Sequence, residues 1–295
     1  MPPIPPIPPL AAAGFQSNWF EVVTSDFMRN AFAGGLLVAL AAGAIGYFVV
    51  IRQNAFAAHA LAHIGFPGAT GAALVGAPIL AGLALFCVAG GLAIGVLGKQ
   101  LADREIATGT VLALATGLGV LFTSLTTRAT DNVTNILFGN LLAITDGQLV
   151  VFALFTAVLA AVMAVIARPL TFASVNPDVA EAKGVPVKAL GVAFTVLLAL
   201  VITMAVQVVG TLLLFGLVVT PSATAMAITA RPGRVAGLGT LIGAGAVMLG
   251  LVLSTMANLP PSFFIVTITS LVWLVTVVVT RDGGRVKADP HANHC

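Results

Sequence analysis

His59 and His63 lie in a stretch, 53–98, that contains no Lys, Arg, Asp or Glu. Ionisable side chains at bilayer depth are costly and usually face a cavity or a path through the protein. A spacing of four puts both imidazoles on one face of a helix, one turn apart. Two neutral imidazoles supply half the donor set of a four-coordinate site for a borderline metal ion. The plainer alternative is a pair of core histidines hydrogen-bonded to neighbouring helices. With Arg52 at the membrane face, a rise of about 1.5 Å per residue puts His59 roughly 10 Å and His63 roughly 16 Å into a hydrocarbon core of about 30 Å. Pro67, four residues beyond His63, removes the hydrogen bond to the His63 carbonyl and crowds it. With Gly65 and Gly68 beside it, the second span is predicted to be broken next to the histidines; Pro221 marks a second predicted break. Non-helical backbone is tolerated at this depth where it lines protein or a watery cavity, and transporters place their sites there.

The elements that must hold these residues are set by composition. The chain of 295 residues is 59% hydrophobic and 8% charged, with a mean hydropathy of +1.10. Soluble domains carry about a quarter charged residues, so a globular aqueous fold is excluded. A spanning helix takes roughly 20 apolar residues. Charge-free blocks at 53–98, 189–230 and 235–280 are each long enough for two spans, and single spans fall at 31–51, 107–126 and 149–167. The prediction is an all-α polytopic membrane bundle of about nine helices (8–9) forming a single transmembrane domain over 29–281. Residues 1–28 are read as a tail that begins proline-rich and carries an aromatic interfacial anchor at Phe15, Trp19 and Phe20. Residues 282–295 are read as a cytoplasmic tail, whose His291, His294 and Cys295 are taken as mobile surface groups. The segment 129–147 is too polar and too short to be assigned. Glycines on the first and eighth spans, including Gly35, Gly43, Gly239 and Gly243, predict close helix packing and say nothing of substrate. Cys87 and Cys295 make no disulfide framework.

Basic residues orient the bundle. With the C-terminus inside and nine alternating spans, eleven of the thirteen Lys and Arg residues fall inside, leaving only Arg29 and Arg128 outside. The positive-inside rule therefore predicts N-out, C-in, in a multi-pass cell membrane protein. A short helix in the inner loop over 176–184 is written out residue by residue. Asn176 caps it, Pro177 suits its first position, and Asp178 favours the positive end of the dipole. Gly184 closes it, with Glu181 on its surface and Pro186 preventing continuation. Two turns are not stable alone, so this helix packs either on the ends of the bundle or on a soluble partner. Position 180 is expected to be accessible to such a partner.

No phosphate-binding loop is present: Gly98-Lys99 is followed by Gln100, and position 93 is Ala rather than Gly. If ATP drives this protein, another subunit supplies it, and the chain is not itself an enzyme. Two other classes remain open at this point. A membrane redox protein would use the histidines as haem ligands, although two imidazoles one turn apart cannot grip one haem from opposite faces. A secondary transporter would use the pair as protonatable groups without an ATPase.

Several segments in order, spanning about 31 to 280, resemble the permease subunits of zinc/manganese-type ABC transporters, family 3 of the ABC permeases. They are Val49-Val-Ile-Arg-Gln53, Phe56-Ala-Ala-His59-Ala-Leu-Ala-His63, Gly65-Phe-Pro-Gly68, and Leu137-Phe-Gly-Asn-Leu-Leu-Ala-Ile-Thr145. The 176–184 loop, Val209-Gly-Thr, and Val219-Thr-Pro221-Ser-Ala-Thr-Ala225 complete the set. The resemblance implies a metal path at the family's Gly-Asp-x-Leu-x-His motif, of which this chain keeps the His as His63. Ala58-His59 stands where the family has Gly-Asp, and Asn140 stands where many relatives have Asp. It further implies a homodimer of permeases in the lipid bilayer, cytoplasmic ATP-binding subunits and an extracytoplasmic metal-binding protein, with no nucleic-acid partner. The 176–184 helix becomes the coupling helix. No resident cofactor is implied: Zn2+ or Mn2+ is cargo, with zinc favoured because imidazole replaces the carboxylate.

Overall fold

The computed structural model describes residues 25–98, 101–125, 139–211 and 214–285. The tails at 1–24 and 286–295, with the aromatic anchor residues and the His291/His294/Cys295 group, lie outside the described residues. Charge-poor runs of 19 to 30 residues fold as helices because a chain in lipid must satisfy its backbone internally. In chain order these are α1 (Asp26–Ile51), α2 (Ala55–Val75), α3 (Ile79–Leu97), α4 (Leu101–Leu125), α5 (Asp146–Val175) and α6 (Pro177–Ala182). They are followed by α7 (Val187–Val209), α8 (Leu214–Val218), α9 (Thr220–Ile228), α10 (Pro232–Ala257) and α11 (Pro261–Arg285). Among the described residues there is no strand.

Seven of these helices are long and apolar enough to cross a membrane: α1, α3, α4, α5, α7, α10 and α11. The 21-residue α2 carries the histidines, which lower its hydropathy. The seventh predicted span, the second of the 189–230 block, is divided into α8 and α9, which part at Val219, with Pro221 in the first turn of α9. The span count of eight to nine thus corresponds to seven long helices, α2 and one interrupted pair. α1 begins before the predicted boundary at 29 and α11 runs past that at 281. Within the unassigned 129–147 region, Leu141–Ala143 forms a 3-10 turn. Just before it, the Asn140 N–H donates to the Gln207 carbonyl at the end of α7, 3.0 Å.

The predicted break at Pro67 is not there. α2 is continuous through Pro67, which is buried inside it. Proline is tolerated in a membrane helix when neighbouring groups support the freed backbone. Here the Thr70 hydroxyl donates to the Phe66 and Pro67 carbonyls at 3.1 and 3.2 Å, and the Cys87 thiol on α3 donates to the Leu61 carbonyl at 3.3 Å. Helix α3 presses on the same stretch so closely that a Cβ built on Gly68 would overlap the Gly82 carbonyl, and one on Gly82 would meet the Gly68 carbonyl. Small residues permit this approach, and packing against a neighbour accompanies a helix that continues past its proline.

Side-chain contacts set the directions of the helices. Asn30 on α1 donates to Asp146 at the start of α5, 2.6 Å. The Arg52 guanidinium, just past the end of α1, donates to Ser174 near the end of α5, 3.1 Å. α1 and α5 therefore run parallel. Gly35 faces Val247 and Gly43 faces Thr240, so α10 runs antiparallel to α1. Arg52, Arg104, Lys188, Arg231 and Arg234 consequently lie at one end of the bundle, as alternating spans require.

Valine at Gly68 or Gly82 is expected to separate α2 from α3, because the obstacle is backbone and cannot rotate away. The cost should be about 1–3 kcal/mol or more. In detergent, a melting temperature several degrees lower, or loss of the folded fraction, checks this; Gly245→Ala, with open space around it, should leave melting unchanged.

Candidate functional site

α2 presents two faces. Ala57, Ala58, Ala60, Leu61, Ala62, Ile64 and Gly65 are buried against the bundle, where α2 packs chiefly on α3, α4 and α7. Phe56, His59, His63 and Phe66 follow each other at spacings of three and four on the less covered side. Phe56 is 46% exposed, and the two histidines and Phe66 are half-buried. The fully enclosed positions of α2 are thus apolar or small, and both imidazoles sit where a single chain leaves room.

The imidazole rings are 4.8 Å apart between centroids, at an interplanar angle of 75°. Two nitrogens bound to one tetrahedral zinc at 2.0–2.1 Å stand about 3.3 Å apart. No hydrogen bond fixes either ring to a neighbouring helix among the described residues, which counts against the plainer reading of satisfied core histidines. Along α2, His63 lies about 12 Å from Ala55 in a helix about 31 Å long. Among the described residues no group of three or more His, Cys, Asp or Glu could hold a metal ion. The pair by itself could therefore offer a metal ion at most two donors, on the side of α2 away from α3. Cys87, the nearest sulfur in sequence terms, is buried at 0% exposure and bonded to the Leu61 carbonyl on the opposite face of α2.

The inner loop folds as its residues dictate. The Asn176 side chain accepts the Val179 N–H at 3.3 Å, and Pro177 occupies the first helical position of α6. Gly184 takes φ +81, a conformation that costs a residue with a Cβ. The Val185 N–H then returns to the Ala180 carbonyl at 3.0 Å, closing the helix. Position 180 is a correction to the sequence reading: Ala180 is fully buried and docks α6 onto α5 and α7. Asn176, Pro177, Asp178, Val179, Glu181 and Gly184 all lie on its exposed side. Glu181 and Lys188 approach to 3.9 Å with both side chains largely in solvent. Such a pair contributes little to stability.

Sequence reasoning used Arg52 only to orient the chain. In the fold it joins four elements: the end of α1, Ser174 on α5, Phe194 on α7 and, through Arg104, the start of α4. Its guanidinium stands 5.5 Å from the Phe194 ring centroid, and Arg104 donates to the Arg52 carbonyl at 3.4 Å and to Asn54 Oδ1 at 2.9 Å. The signal in the sequence was an arginine at the foot of the histidine helix, read for its charge alone.

Comparison with known proteins places this architecture. The ABC 3 transport family matches residues 24–280. The chain is 28% identical to the manganese transport system membrane protein MntC of Listeria monocytogenes, over 88% of this chain and 92% of that protein. It is 28% identical to the manganese import system permease protein ScaB of Streptococcus gordonii, over 86% and 91%. Among solved structures it is similar to PsaBC from Streptococcus pneumoniae in complex with Fab, with a TM-score of 0.78 and 26% identity over 88% of this chain and 94% of that one. Neither the haem-protein reading nor the secondary-transporter reading is favoured by these matches. The chain belongs to the ABC 3 transport family, and is the multi-pass, non-catalytic membrane subunit of an ABC transporter.

Proposed function

We propose that this permease imports a divalent transition metal ion, which passes His59 and His63 as transit ligands. The observation that carries this reading is the pair itself: two imidazoles 4.8 Å apart, half-buried near the middle of α2. Two donors suit passage. A complete four-ligand shell would retain the ion, whereas two leave positions for water or for donors of a second permease copy. The cargo under this reading is Zn2+ ahead of Mn2+, because imidazole suits zinc and carboxylate suits manganese, and the family's Asp is His59 here. Manganese is the second reading, supported by the names of the relatives in Listeria and Streptococcus.

The partners follow from the two ends of the bundle. A second copy of the permease completes the path along the open face of α2. ATP-binding subunits sit at the basic end, against the exposed side of α6, and an extracytoplasmic metal-binding protein delivers the ion at the other end. ATPase closure displaces α6, and α6 is seated through Ala180 on α5 and α7. Since α7 also packs on α2, a shift of α7 reaches the histidine helix directly.

His59→Ala and His63→Ala should each lower metal uptake by cells at least about tenfold, the low end of what losing even an outer-shell partner costs, with membrane expression unchanged. Full uptake by the double variant would remove the histidines from the path. His59→Asp should raise the Mn2+/Zn2+ uptake ratio; an unchanged ratio would show that ligand type does not set selectivity here.

At the inner loop, a cysteine at Val179 should crosslink to a cysteine-bearing ATPase subunit, while one at Ala180 should not. Glu181→Lys should leave hydrolysis running with little uptake, since it alters surface charge and not the fold. Gly184→Val should impair coupling far more than Lys183→Ala, as a β-branched residue at positive φ costs on the order of 1–3 kcal/mol. Labelling of position 179 by an impermeant thiol reagent from outside intact cells would overturn both topology and role.

A further inference from the structure

The basic end of the bundle contains a feature that metal passage does not use. A cavity of about 370 Å³ lies between the α1–α2 turn, the end of α3, the first turn of α4 and the first turns of α7, with Arg52, Asn54, Arg104, Lys188 and Thr195 on its wall. Among the described residues no Asp or Glu lines it. Both arginines are half-buried, and both are oriented by neutral groups: Arg52 by the Ser174 hydroxyl and the Phe194 ring, Arg104 by the Asn54 amide oxygen and the Arg52 carbonyl. The Arg52 Nε is buried with no hydrogen-bond partner. Among the described residues neither guanidinium has a carboxylate in ion-pair range; the pair formed nearby, Lys188 with Glu181, is at the solvent-exposed mouth.

Burial, together with the positive charge of Arg104, pushes the Arg52 guanidinium down to about 10, still charged at neutral pH. Like charges held partly out of water are unfavourable until an anion joins them. The planar fork of arginine matches the oxygens of a phosphate group, and lysine adds a mobile third charge. Basic pockets between spans at the inner face are where anionic headgroups bind. The cavity holds several times the roughly 30 Å³ that one water occupies, so a phosphate ester fits as well as a small anion.

We propose that this cavity binds a phosphate group, gripped by Arg52 and Arg104 and closed over by Lys188. The phosphate belongs either to an anionic phospholipid of the inner leaflet or to a soluble phosphate compound. Occupancy draws Lys188 away from Glu181, so the ligand bears on the surface of α6 as well as on the foot of the histidine helix. The site is independent of which ion the protein carries, and its test needs no transport.

Full-length permease is reconstituted in phosphatidylcholine nanodiscs containing a minority of phosphatidylglycerol, and tightly retained lipid is counted by native mass spectrometry. In a second arm the melting temperature is followed against inorganic phosphate. The wild type should retain phosphatidylglycerol over phosphatidylcholine, with retention falling about fivefold for each charge removed in Lys188→Ala, Arg104→Gln and the double variant. Lys188→Ala keeps the test sound if Arg104→Gln folds poorly, because the Lys188 side chain is 90% exposed. Stabilisation by inorganic phosphate that the variants lose, with no preference for phosphatidylglycerol, assigns the site to a soluble phosphate. If neither probe distinguishes wild type from the variants, the proposal is wrong. It is equally wrong if the variants lose the ATPase subunit while binding phosphatidylglycerol and phosphate as the wild type does.

Discussion

The close approach of α2 to α3 at Gly68 and Gly82 is the contact on which the rest depends. Lipid gives helices no hydrophobic reason to associate, so van der Waals fit between small residues decides which faces meet. Because Gly68 and Gly82 bring two backbones into contact, the rotation of α2 about its axis is fixed. That rotation turns Leu61 and Gly65 inward and leaves His59 and His63 on the open side. At the same contact α2 stays helical through Pro67, with Thr70 covering the carbonyls beside the proline. A helix positioned by backbone contact, not by long side chains, carries its histidines at a fixed depth.

Charge in this protein is placed in two ways. The histidines lie near the middle of α2, half-covered by protein, and among the described residues no hydrogen bond pins their rings. The arginines lie at the end of the bundle, ionised and pinned by a serine, an aromatic ring, an asparagine and a backbone carbonyl. An unpinned donor would suit a ligand that must leave, and pinned cations one that stays. The two groups are joined by the turn between α1 and α2, where Gln53 takes φ +54 and Asn54 is buried.

The membrane class, the spans and the inner-loop helix were legible because each is a local property. Hydrophobic runs give spans, basic residues give sides, and Asn176-Pro177 with Gly184 gives a capped helix whose hydrogen bonds appear as read. Pro67 was misread because the consequence of a proline depends on what packs against it, and Gly82 is not adjacent in sequence. Ala180 was misread for a similar reason. A two-turn helix needs an anchor, and a small apolar residue in its middle is that anchor. The pairing of Arg52 with Arg104, fifty-two residues apart, has no local signature at all. The histidine pair lies between these cases: spacing predicted one face, while the openness of that face is a property of the bundle.

Helix α7 links the remaining parts. It packs on α2, α3 and α5, receives α6 at its start, and presents Phe194 to Arg52 and Phe48. Its buried residues run without a gap from Val201 to Val206, and through Phe194 and Arg52 it also meets the α1–α2 turn. Among the described residues Arg52 is held to α7 by a cation–π contact with Phe194 and to α5 by a single hydrogen bond with Ser174, with no ion pair in either contact, so the turn that leads into the histidine helix is fastened without a carboxylate.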